Sequence, residues 1–220
     1  VMALPAVADV RQALPQVALA VVARPAVASL FTLVPDIDHI VTCADRFDVH
    51  KVAAGRFNAA FLFPNSFHSA FTAWRAGIPH RWGYAADWRT PLLTRRVTRP
   101  RGLHQASYYQ YLVRALGCPS GPLVAAVEVS EELRRVAGTQ LAGAGWDGAS
   151  PLVALAPGAA YGGAKRWPAQ SYGALSARLT ADGATIVLIG SQADTSAGSE
   201  VTTAAVASGA SPRIINMMGK

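Results

Sequence analysis

Short apolar runs alternate with amphipathic stretches along the whole chain. The apolar runs predict β-strands at residues 17–22, 58–63, 80–83, 152–156, 184–189 and 213–216. The amphipathic stretches predict helices at 1–14, 25–33, 66–76, 104–116, 168–181 and 199–208, and a further helix that begins at Ser130. Strands that alternate with helices are typical of parallel sheets covered by helices on both faces. The pattern therefore predicts an α/β fold.

A stretch rich in glycine and small residues, AGAGWDGASP at 142–151, divides this pattern into two series. Each series predicts a doubly wound domain, and we place the first at residues 1–146 and the second at 147–220. The first series opens on a helix with no strand before it, and the second ends at Lys220 directly after a strand. We therefore expect an internal fragment, with both ends interrupted.

The composition predicts a globular protein with anionic partners. Hydrophobic residues make up 51% of the 220 residues, which is enough for a sizeable core. Lys and Arg number 20 against 13 Asp and Glu, and the net charge of +7 favours phosphates, nucleic acid or an acidic membrane, although a GC-rich genome explains part of it. The apolar run at 17–23 is too short to span a bilayer. Cys43 and Cys118 are isolated, which is typical of a reduced cytoplasmic chain without a cysteine metal site.

The segment APGAAYGGAKRWP at 156–168 carries the first candidate chemistry. It links a predicted strand to a predicted helix, and ligands of parallel α/β sheets lie beyond the carboxyl ends of the strands. Glycines allow close approach of the backbone, and free N–H groups beside Lys165 form an anion site. Neither a P-loop nor a dinucleotide fingerprint is present. From this loop alone, two interpretations are equally open. One is a site for a phosphate or a carboxylate, and the other is an ordinary loop with a solvated lysine.

The segment PNSFHSA at 64–70 carries the second group of candidate binding residues. Asn65 and Ser66 follow a predicted strand and could simply cap the next helix. His68, one turn further on, is expected to point back toward the strand ends. Arg81, in the next predicted strand, could line the same cleft.

Taken in order, several motifs resemble those of the ADP-heptose:lipopolysaccharide heptosyltransferases of glycosyltransferase family 9, in particular the heptosyltransferase II branch. They are PNSFxSA, AGIPHRxGY, APGAAYGxAKRWP, GSxAD at 190–194, the His104-Gln105…Tyr108-Tyr109 helix and the Asn216…Gly219-Lys220 ending. The resemblance extends over nearly the whole chain, and the order of the motifs is the order in the family.

The resemblance implies a GT-B fold, in which two Rossmann-like domains bind a lipid-linked oligosaccharide acceptor and a nucleotide sugar. It implies inverting transfer of heptose from ADP-heptose to the lipopolysaccharide inner core, without metal or cofactor. It also implies a cytoplasmic enzyme with a peripheral contact at the inner face of the inner membrane. Two alternatives are a GT-B transferase with another nucleotide-sugar donor and a basic nucleic-acid-binding module. The second is disfavoured, because the positive charge is spread out and no nucleic-acid motif appears.

The resemblance also implies the site residues. Lys165 is expected to stabilise the leaving phosphate, whereas the general base, an Asp, is expected before Val1 and a second donor loop after Lys220, so residues 1–220 alone are expected to be inactive. The expected donor-binding residues are Gly158, Ala159, Ala160, Tyr161, Lys165, Gly190 and Ser191. The expected acceptor-binding residues are Asn65, Ser66, His68 and Arg81.

Two features of the acceptor side depart from a simple assignment. His68 stands where many relatives carry Lys, so a contact with acceptor phosphate requires a protonated His68. The basic stretch that follows Arg81 could meet acceptor phosphates or anionic lipid headgroups, although a solvated face is the more ordinary explanation for any one residue. Its arginines are Arg89, Arg95, Arg96, Arg99 and Arg101.

Overall fold

The computed structural model describes residues 1–44, 48–159, 165–209 and 213–220. These residues form two compact units, Val1–Val129 and Ser130–Lys220. The helices are α1 (Leu4–Ala13), α2 (Pro25–Ala28), α3 (Val49–Ala54), α4 (Phe67–Arg75), α5 (Gln105–Ala115), α6 (Glu131–Gly143), α7 (Ala169–Ala181) and α8 (Thr195–Ala207). The strands are β1 (Ala20–Ala23), β2 (His39–Thr42), β3 (Ala59–Leu62), β4 (His80–Tyr84), β5 (Arg95–Val97), β6 (Leu152–Leu155), β7 (Thr185–Leu188) and β8 (Ile214–Asn216).

The first unit holds a two-stranded parallel sheet, β1–β2, and a three-stranded parallel sheet in the order β3–β4–β5. In the larger sheet Leu62 pairs with Gly83, so β3 and β4 end almost level. Tyr84 pairs with Val97 at the end of β5. The loops that follow the three strands therefore emerge at one edge of the sheet, where parallel α/β folds carry their ligands.

Caps determine where the helices around this edge begin. The Oγ of Ser66 accepts a hydrogen bond from the backbone N–H of Ser69 and so caps α4 (3.4 Å). His104 plays the same part for α5, where its Nδ1 accepts from the N–H of Ala106 (3.4 Å). Gly77, at φ +76°, follows the end of α4 and takes a left-handed conformation that a side chain would resist. Helix α4 therefore begins after a four-residue turn beyond β3, whereas α5 begins only after the loop at 98–104.

A buried carboxylate holds α1 against α5. Asp9 in α1 is 2% exposed, and it accepts hydrogen bonds from the side chain of Gln110 (2.9 Å) and the backbone N–H of Gly121 (2.8 Å). Around this contact Val10 of α1 packs with Val113 of α5 in one apolar cluster. Because unpaired buried charge is costly, these bonds fix how the two helices pack.

The second unit holds the parallel sheet β6–β7–β8. All four residues of the central strand β7 are buried, and its Ile186 and Leu188 pack against Val201 of α8. Helices α7 and α8 approach closely at Gly173, where a Cβ would lie 2.5 Å from the carbonyl carbon of Ala204. The glycine is thus required by the packing of the two helices.

The prediction of an α/β fold with parallel sheets is confirmed, but several element bounds differ. The predicted strand at 17–22 starts only at Ala20, and the predicted helix at 25–33 consists of α2 followed by a 3₁₀ turn at Ser29–Leu33. The sequence pattern missed β2, α3 and β5, which are three to six residues long. A helix this short makes less than two turns, and a strand this short has too few positions to show a clear alternation. The periodic signal of these segments is therefore weak.

Helix α6 lies in the second unit, whereas the sequence pattern placed its residues in the first domain. The domain assignment 1–146 and 147–220 itself stays a prediction. Among the described residues, no helix is both long and apolar enough to cross a membrane.

Candidate functional site

Polar groups concentrate where the strands of the larger first-unit sheet end. We call this region the first edge; it comprises the segments at 63–66, 85–89 and 98–104, which follow β3, β4 and β5. The corresponding region of the second unit, the loops at 156–159, 165–168 and 189–194, is called the second edge.

Arg89 is the structural centre of the first edge. Its side chain is fully buried. Its Nε donates to the carbonyl of Tyr84 (2.9 Å), and its terminal nitrogens donate to the carbonyls of Pro64 and Leu62 and to the Oγ of Ser69. One guanidinium thereby joins the ends of β3 and β4 to the first turn of α4. Burial lowers the pKa of Arg89 from its ordinary value, but a guanidinium stays charged in proteins.

Gly83 makes room for this guanidinium. A Cβ at that position would lie 2.8 Å from a terminal nitrogen of Arg89 and 3.2 Å from the Cβ of Leu62. The second glycine of the AGIPHRxGY motif is therefore explained by the packing of Arg89. The strained loop between them holds Asp87 and Trp88 at φ +48° and +62°, and the Trp88 side chain is 93% exposed.

Asn65 and Tyr108 form the polar wall of the first edge. The Asn65 amide nitrogen donates to the hydroxyl of Tyr108 (2.7 Å), whereas its Oδ1 is buried and has no hydrogen-bond partner among the described residues. Tyr84 fixes Tyr108 by donating to its carbonyl (2.5 Å), and the two rings lie 4.4 Å apart. Burial raises the pKa of Tyr84 well above its ordinary value, so its hydroxyl remains a donor.

A pocket of about 390 Å³ opens beside this wall. Its lining comes from the end of β3, the loop between β5 and α5, and the first turns of α5. The lining residues are Asn65, Arg99, Pro100, Arg101, Gly102, Leu103, Gln105 and Tyr108.

The structure brings together three of the four residues expected on the acceptor side. Asn65 and Ser66 lie at the first edge, and His68 follows them in the first turn of α4. The hydroxyl of Ser66 is engaged as the cap of α4. His68 is half-buried at the second position of that helix.

Arg81 lies elsewhere, which corrects the expectation that it borders the same cleft. Because β4 begins at His80, Arg81 is its second residue and belongs to the opposite, amino-terminal end of the strand. Its guanidinium donates to the carbonyl of Leu92 (2.7 Å) and to those of Ile78 and Pro79. A contact of Arg81 with the acceptor stays a prediction and has no support from this geometry.

Backbone groups and glycines dominate the second edge. Gly158 follows β6 and lies against Asp194, so close that a Cβ would be 2.3 Å from the carboxyl carbon. Gly190 follows β7 and packs against the sulfur of Met218 in the same way (2.4 Å). Of the other expected donor residues, Ala159 is half-buried, Lys165 is exposed, and Ala160 and Tyr161 lie outside the described residues.

Ser191 is occupied by Asp194. The carboxylate accepts hydrogen bonds from the Ser191 backbone N–H (3.0 Å) and hydroxyl (2.5 Å), which forms a capping box around the turn at Gln192–Asp194. These bonds, the hydroxyl first, lower the pKa of Asp194 from its ordinary value. Ser191 therefore shapes the turn that places Asp194 beneath Gly158, and its donors are already in use.

A pocket of about 240 Å³ lies beside the second edge, where α7 begins. Arg166 and Glu200 lie on its wall 3.6 Å apart, and Trp167, half-exposed, meets Tyr172 edge to face at 4.9 Å. No group of three or more His, Cys, Asp or Glu side chains in the described part of the chain could hold a metal ion.

The model of glycosyltransferase family 9 (heptosyltransferase) matches residues 49–220, which include both edges. The chain belongs to glycosyltransferase family 9. The resemblance seen in the motifs is thereby confirmed.

Named relatives agree with the family 9 assignment. The chain is 31% identical over 154 residues to lipopolysaccharide heptosyltransferase 2 of Escherichia coli K12, a match that covers 66% of this chain and 43% of that protein. The same coverage and identity are found for the Salmonella typhimurium LT2 protein of that name. The chain thus spans less than half the length of the curated relatives it matches.

Solved structures of the family share the fold. The E. coli ADP-heptose lipopolysaccharide heptosyltransferase II superposes with a TM-score of 0.79 at 27% identity, covering 99% of this chain and 68% of that one. A family 9 glycosyltransferase from Veillonella parvula reaches a TM-score of 0.83 at 19% identity, over 99% and 65% of the two chains. The predicted GT-B type of α/β fold is confirmed by these likenesses.

Sequence reasoning missed the roles of Arg89 and Tyr108 in this family 9 chain. Arg89 stands in a polar loop, where a solvated guanidinium is the ordinary expectation, and only its carbonyl partners reveal its burial. The spacing of Tyr108 from Leu112 and Leu116 places it on the apolar face of α5, where a packing role is the ordinary expectation. A role for its hydroxyl could have been suspected from the tyrosine-rich run, SYYQY, at the start of a helix that follows a strand.

Proposed function

We propose that the protein transfers heptose from ADP-heptose to the inner core of lipopolysaccharide. Membership of family 9 and the activity for which its relatives are named support this substrate pair. The observation that carries the proposal is the glycine–lysine loop at the second edge. Gly158 lets the backbone after β6 lie close to the turn that holds Asp194, and Lys165 follows Gly158 by seven positions in the sequence.

The donor diphosphate is proposed to lie against this loop. As the sugar leaves, negative charge grows on the β-phosphate, and a lysine held beside it lowers the barrier more than it strengthens ground-state binding. Gly158, Ala159, Ala160, Tyr161 and Gly190 are proposed to contact the donor, whereas Ser191 acts through Asp194. The proposal includes inversion at the anomeric centre and requires neither a metal ion nor a cofactor.

The acceptor is proposed to bind at the first edge. Asn65 and His68 offer an amide and an imidazole next to the strand ends, and Ser66 sets the direction of α4 that presents them. An inverting transfer also needs a general base at the acceptor hydroxyl. We assign that role to none of the described residues. The acceptor is lipid-linked, so we propose a cytoplasmic enzyme that contacts the inner face of the inner membrane peripherally.

A transfer assay with the full-length protein tests the proposal. Lipopolysaccharide whose inner core lacks its outer heptose is incubated with ADP-heptose, and the product is analysed by mass spectrometry. We expect one added heptose, and the same yield with and without a metal chelator. Lys165→Ala tests the role of the lysine in this assay, and Arg166→Ala, at the adjacent position, is its matched control.

Two outcomes would contradict parts of the proposal. Transfer from another nucleotide sugar but not from ADP-heptose would favour the alternative GT-B transferase. Loss of activity with the chelator, restored by a divalent cation, would remove the claim of metal independence while leaving the donor assignment intact.

A further inference from the structure

Helix α4 carries its large apolar side chains on the outside of the first unit. Ala70 and Ala73 form its buried side, at 0% and 5% exposed, and pack in one apolar cluster with Val52 of α3. Phe67 and Trp74, in contrast, are 46% and 47% exposed. A helix that served the core alone would bury its large apolar residues and expose the small ones, because burial of apolar area is what stabilises a fold.

The aromatic residues of α4 form one continuous strip, which we call the aromatic stripe and which consists of Phe67, Phe71 and Trp74. Their spacing along the helix places them on one side of it. The rings of Phe67 and Phe71 stack with their centroids 5.8 Å apart, and those of Phe71 and Trp74 lie 5.7 Å apart. Globular proteins rarely expose contiguous apolar surface unless it serves an interaction.

The charges around the stripe are mainly positive. Arg75 directly follows Trp74, and Lys51 and Arg56 belong to α3, which packs against α4, and to the turn after it. Asp48 is the only acidic residue between positions 48 and 76 of the sequence, and its carboxylate lies 3.2 Å from the Lys51 ammonium. Arg56 and Arg75 are exposed and form no ion pair with a described residue. The surface is therefore complementary to a negatively charged partner.

An anionic bilayer matches both features of this surface. Aromatic side chains concentrate at the boundary between lipid headgroups and acyl chains, and amphipathic helices with basic residues lie in that plane. Cations near the bilayer surface are attracted by the charge of anionic lipids. A bilayer thus offers apolar depth to the rings and diffuse negative charge to the cations beside them.

The position of α4 fits the same partner. Phe67 directly follows Asn65 and Ser66, so the stripe begins where the first edge ends. A bilayer against the stripe would therefore lie beside the edge at which the lipid-linked acceptor is proposed to bind.

We propose that the aromatic stripe and Arg75 dock the protein on an anionic lipid bilayer, with α4 lying in the plane of the headgroups. That this docking brings the acceptor to the first edge rests on the proposed function. Binding to the lipid surface does not, so the two can fail separately.

Sedimentation of the full-length protein with vesicles tests the proposal. The wild-type protein should bind vesicles of phosphatidylcholine mixed equally with phosphatidylglycerol, less as salt is added, and should bind phosphatidylcholine alone only weakly. Phe67→Gln combined with Trp74→Gln should weaken binding about tenfold or more, because two aromatic side chains no longer leave water. Arg75→Gln should weaken it about fivefold.

The matched control is Tyr111→Gln combined with Leu123→Gln. It removes two exposed apolar side chains of the same unit that lie outside α3 and α4, and it should change vesicle binding little. Thermal unfolding shows whether each variant is folded, and the single Trp74→Gln replaces the double variant of the stripe if that one is not.

Fluorescence quenching by lipids with brominated acyl chains locates the contact. Bromine quenches only those indoles that reach the acyl chains, so mixed vesicles that contain this lipid should quench the wild-type protein. Trp74→Phe keeps an apolar ring in the stripe and should still bind, but it should lose most of the quenching. Trp88→Phe removes an indole that is 93% exposed outside α4 and should keep the quenching.

Several results would overturn the proposal. Equal sedimentation of the wild-type protein and the Phe67/Trp74 variant with mixed vesicles would remove the stripe from the contact, and equal binding to both kinds of vesicle would remove the role of anionic lipid. Unchanged quenching in Trp74→Phe would place another part of the protein at the bilayer. A dimer of the wild-type protein that the Phe67/Trp74 variant does not form, without vesicle binding, would show that the stripe joins two copies of the chain.

Transfer assays separate the docking surface from the proposed function. Heptose transfer is measured with the acceptor in mixed vesicles and with its deacylated, water-soluble oligosaccharide. The Phe67/Trp74 variant should lose transfer to the first acceptor and keep transfer to the second, and full transfer to both would overturn the role of docking in delivery. If the stripe binds vesicles but heptose is transferred to neither acceptor, the docking surface stands and the proposed function does not.

Discussion

The two edges occupy equivalent places on parallel sheets and are built by opposite means. At the first edge a fully buried arginine joins the loops through their carbonyls, and further arginines with no partner among the described residues face a pocket. At the second edge a carboxylate, Asp194, closes the turn, and glycines bring the backbone close to it. The difference fits the proposal that side chains recognise the acceptor at the first edge, whereas the backbone and Lys165 recognise the donor at the second.

The largest effect is expected at Arg89. Replacement by Ala leaves the carbonyls of Tyr84, Leu62 and Pro64 buried without donors, and each such group costs about 1–3 kcal/mol. We expect the first unit to lose about 3 kcal/mol or more of stability in urea unfolding followed by tryptophan fluorescence. Arg96→Ala, on the exposed side of β5, is the matched control.

Arg89→Lys sharpens this prediction, because it keeps the charge but lacks the planar fork that reaches several carbonyls. It should restore only part of the stability. Full restoration by Lys, or an unchanged unfolding curve for Arg89→Ala, would show that the guanidinium is not what joins the first edge.

The next effect is expected at Gly158. An alanine Cβ would meet the carboxyl carbon of Asp194 at 2.3 Å, so one of the two must move. We expect a loss of about 1–3 kcal/mol, typical of overpacking, and a smaller loss when the same substitution is made in an Asp194→Ala background. A double-mutant cycle from urea unfolding measures the coupling.

Gly138→Ala is the control for this series. Gly138 lies inside α6, where an added Cβ would have no neighbour within 4 Å, and alanine there should stabilise the helix. Additive effects of Gly158→Ala and Asp194→Ala would mean that the glycine does not serve the close approach of Asp194.

A smaller effect, on binding alone, is expected at Lys165. Lys165→Ala should weaken ADP binding about tenfold in calorimetric titration, because one charge-assisted contact with phosphate is lost. Stability should hardly change, since the side chain is exposed. Arg166→Ala, whose guanidinium faces Glu200 at 3.6 Å, should weaken ADP less. Equal losses in the two variants would contradict a specific role for Lys165.

The smallest effect is the response of the second edge to acid. Hydrogen bonds from Ser191 lower the pKa of Asp194 below its ordinary value near 3.8. A lowered native pKa contributes stability that is present above the unfolded value and is lost as pH falls through the native value. Below about pH 4 the second edge should therefore weaken, whereas the first edge, held by Arg89, should not respond through this group.

Carboxyl NMR shifts followed with pH measure this effect. Ser191→Ala should raise the pKa of Asp194 and leave unchanged the pKa of Asp147, which backbone N–H groups of Ser150 and Ala149 lower to about 2. An Asp194 titration unaffected by Ser191→Ala would show that the capping box does not set its pKa.

The sequence sufficed for the fold class and for the places where the two edges begin, because the apolar runs and the capped amphipathic helices alternate regularly along the chain. It placed Asn65, Ser66 and Gly158 directly after strands, as the structure does. Arg81 lies away from them because it is the second residue of β4, whose start the sequence pattern placed correctly; the error was to expect a residue at the start of a strand beside residues that follow strand ends. One residue at the start of a strand and one at its end face opposite edges of the sheet.

The partners of the arginines could not be read from the sequence either. Arg89 and Arg99 stand in the same polar stretch, yet one is fully buried and the other is exposed at a pocket. Burial of a guanidinium depends on carbonyls contributed by strands distant in sequence, here those of Leu62 and Pro64. No local pattern reports such an arrangement.

Mapping of two ligands by NMR tests the contrast between the edges most directly. In a ¹⁵N-labelled protein, ADP should shift the backbone amide of Gly158 and the indole signal of Trp167, and an inner-core acceptor oligosaccharide should shift the backbone amides of Asn65 and His68. Each ligand should leave the other set unchanged. Shifts by ADP at the first edge with none at Gly158 and Trp167 would contradict the assignment of the donor to the second edge.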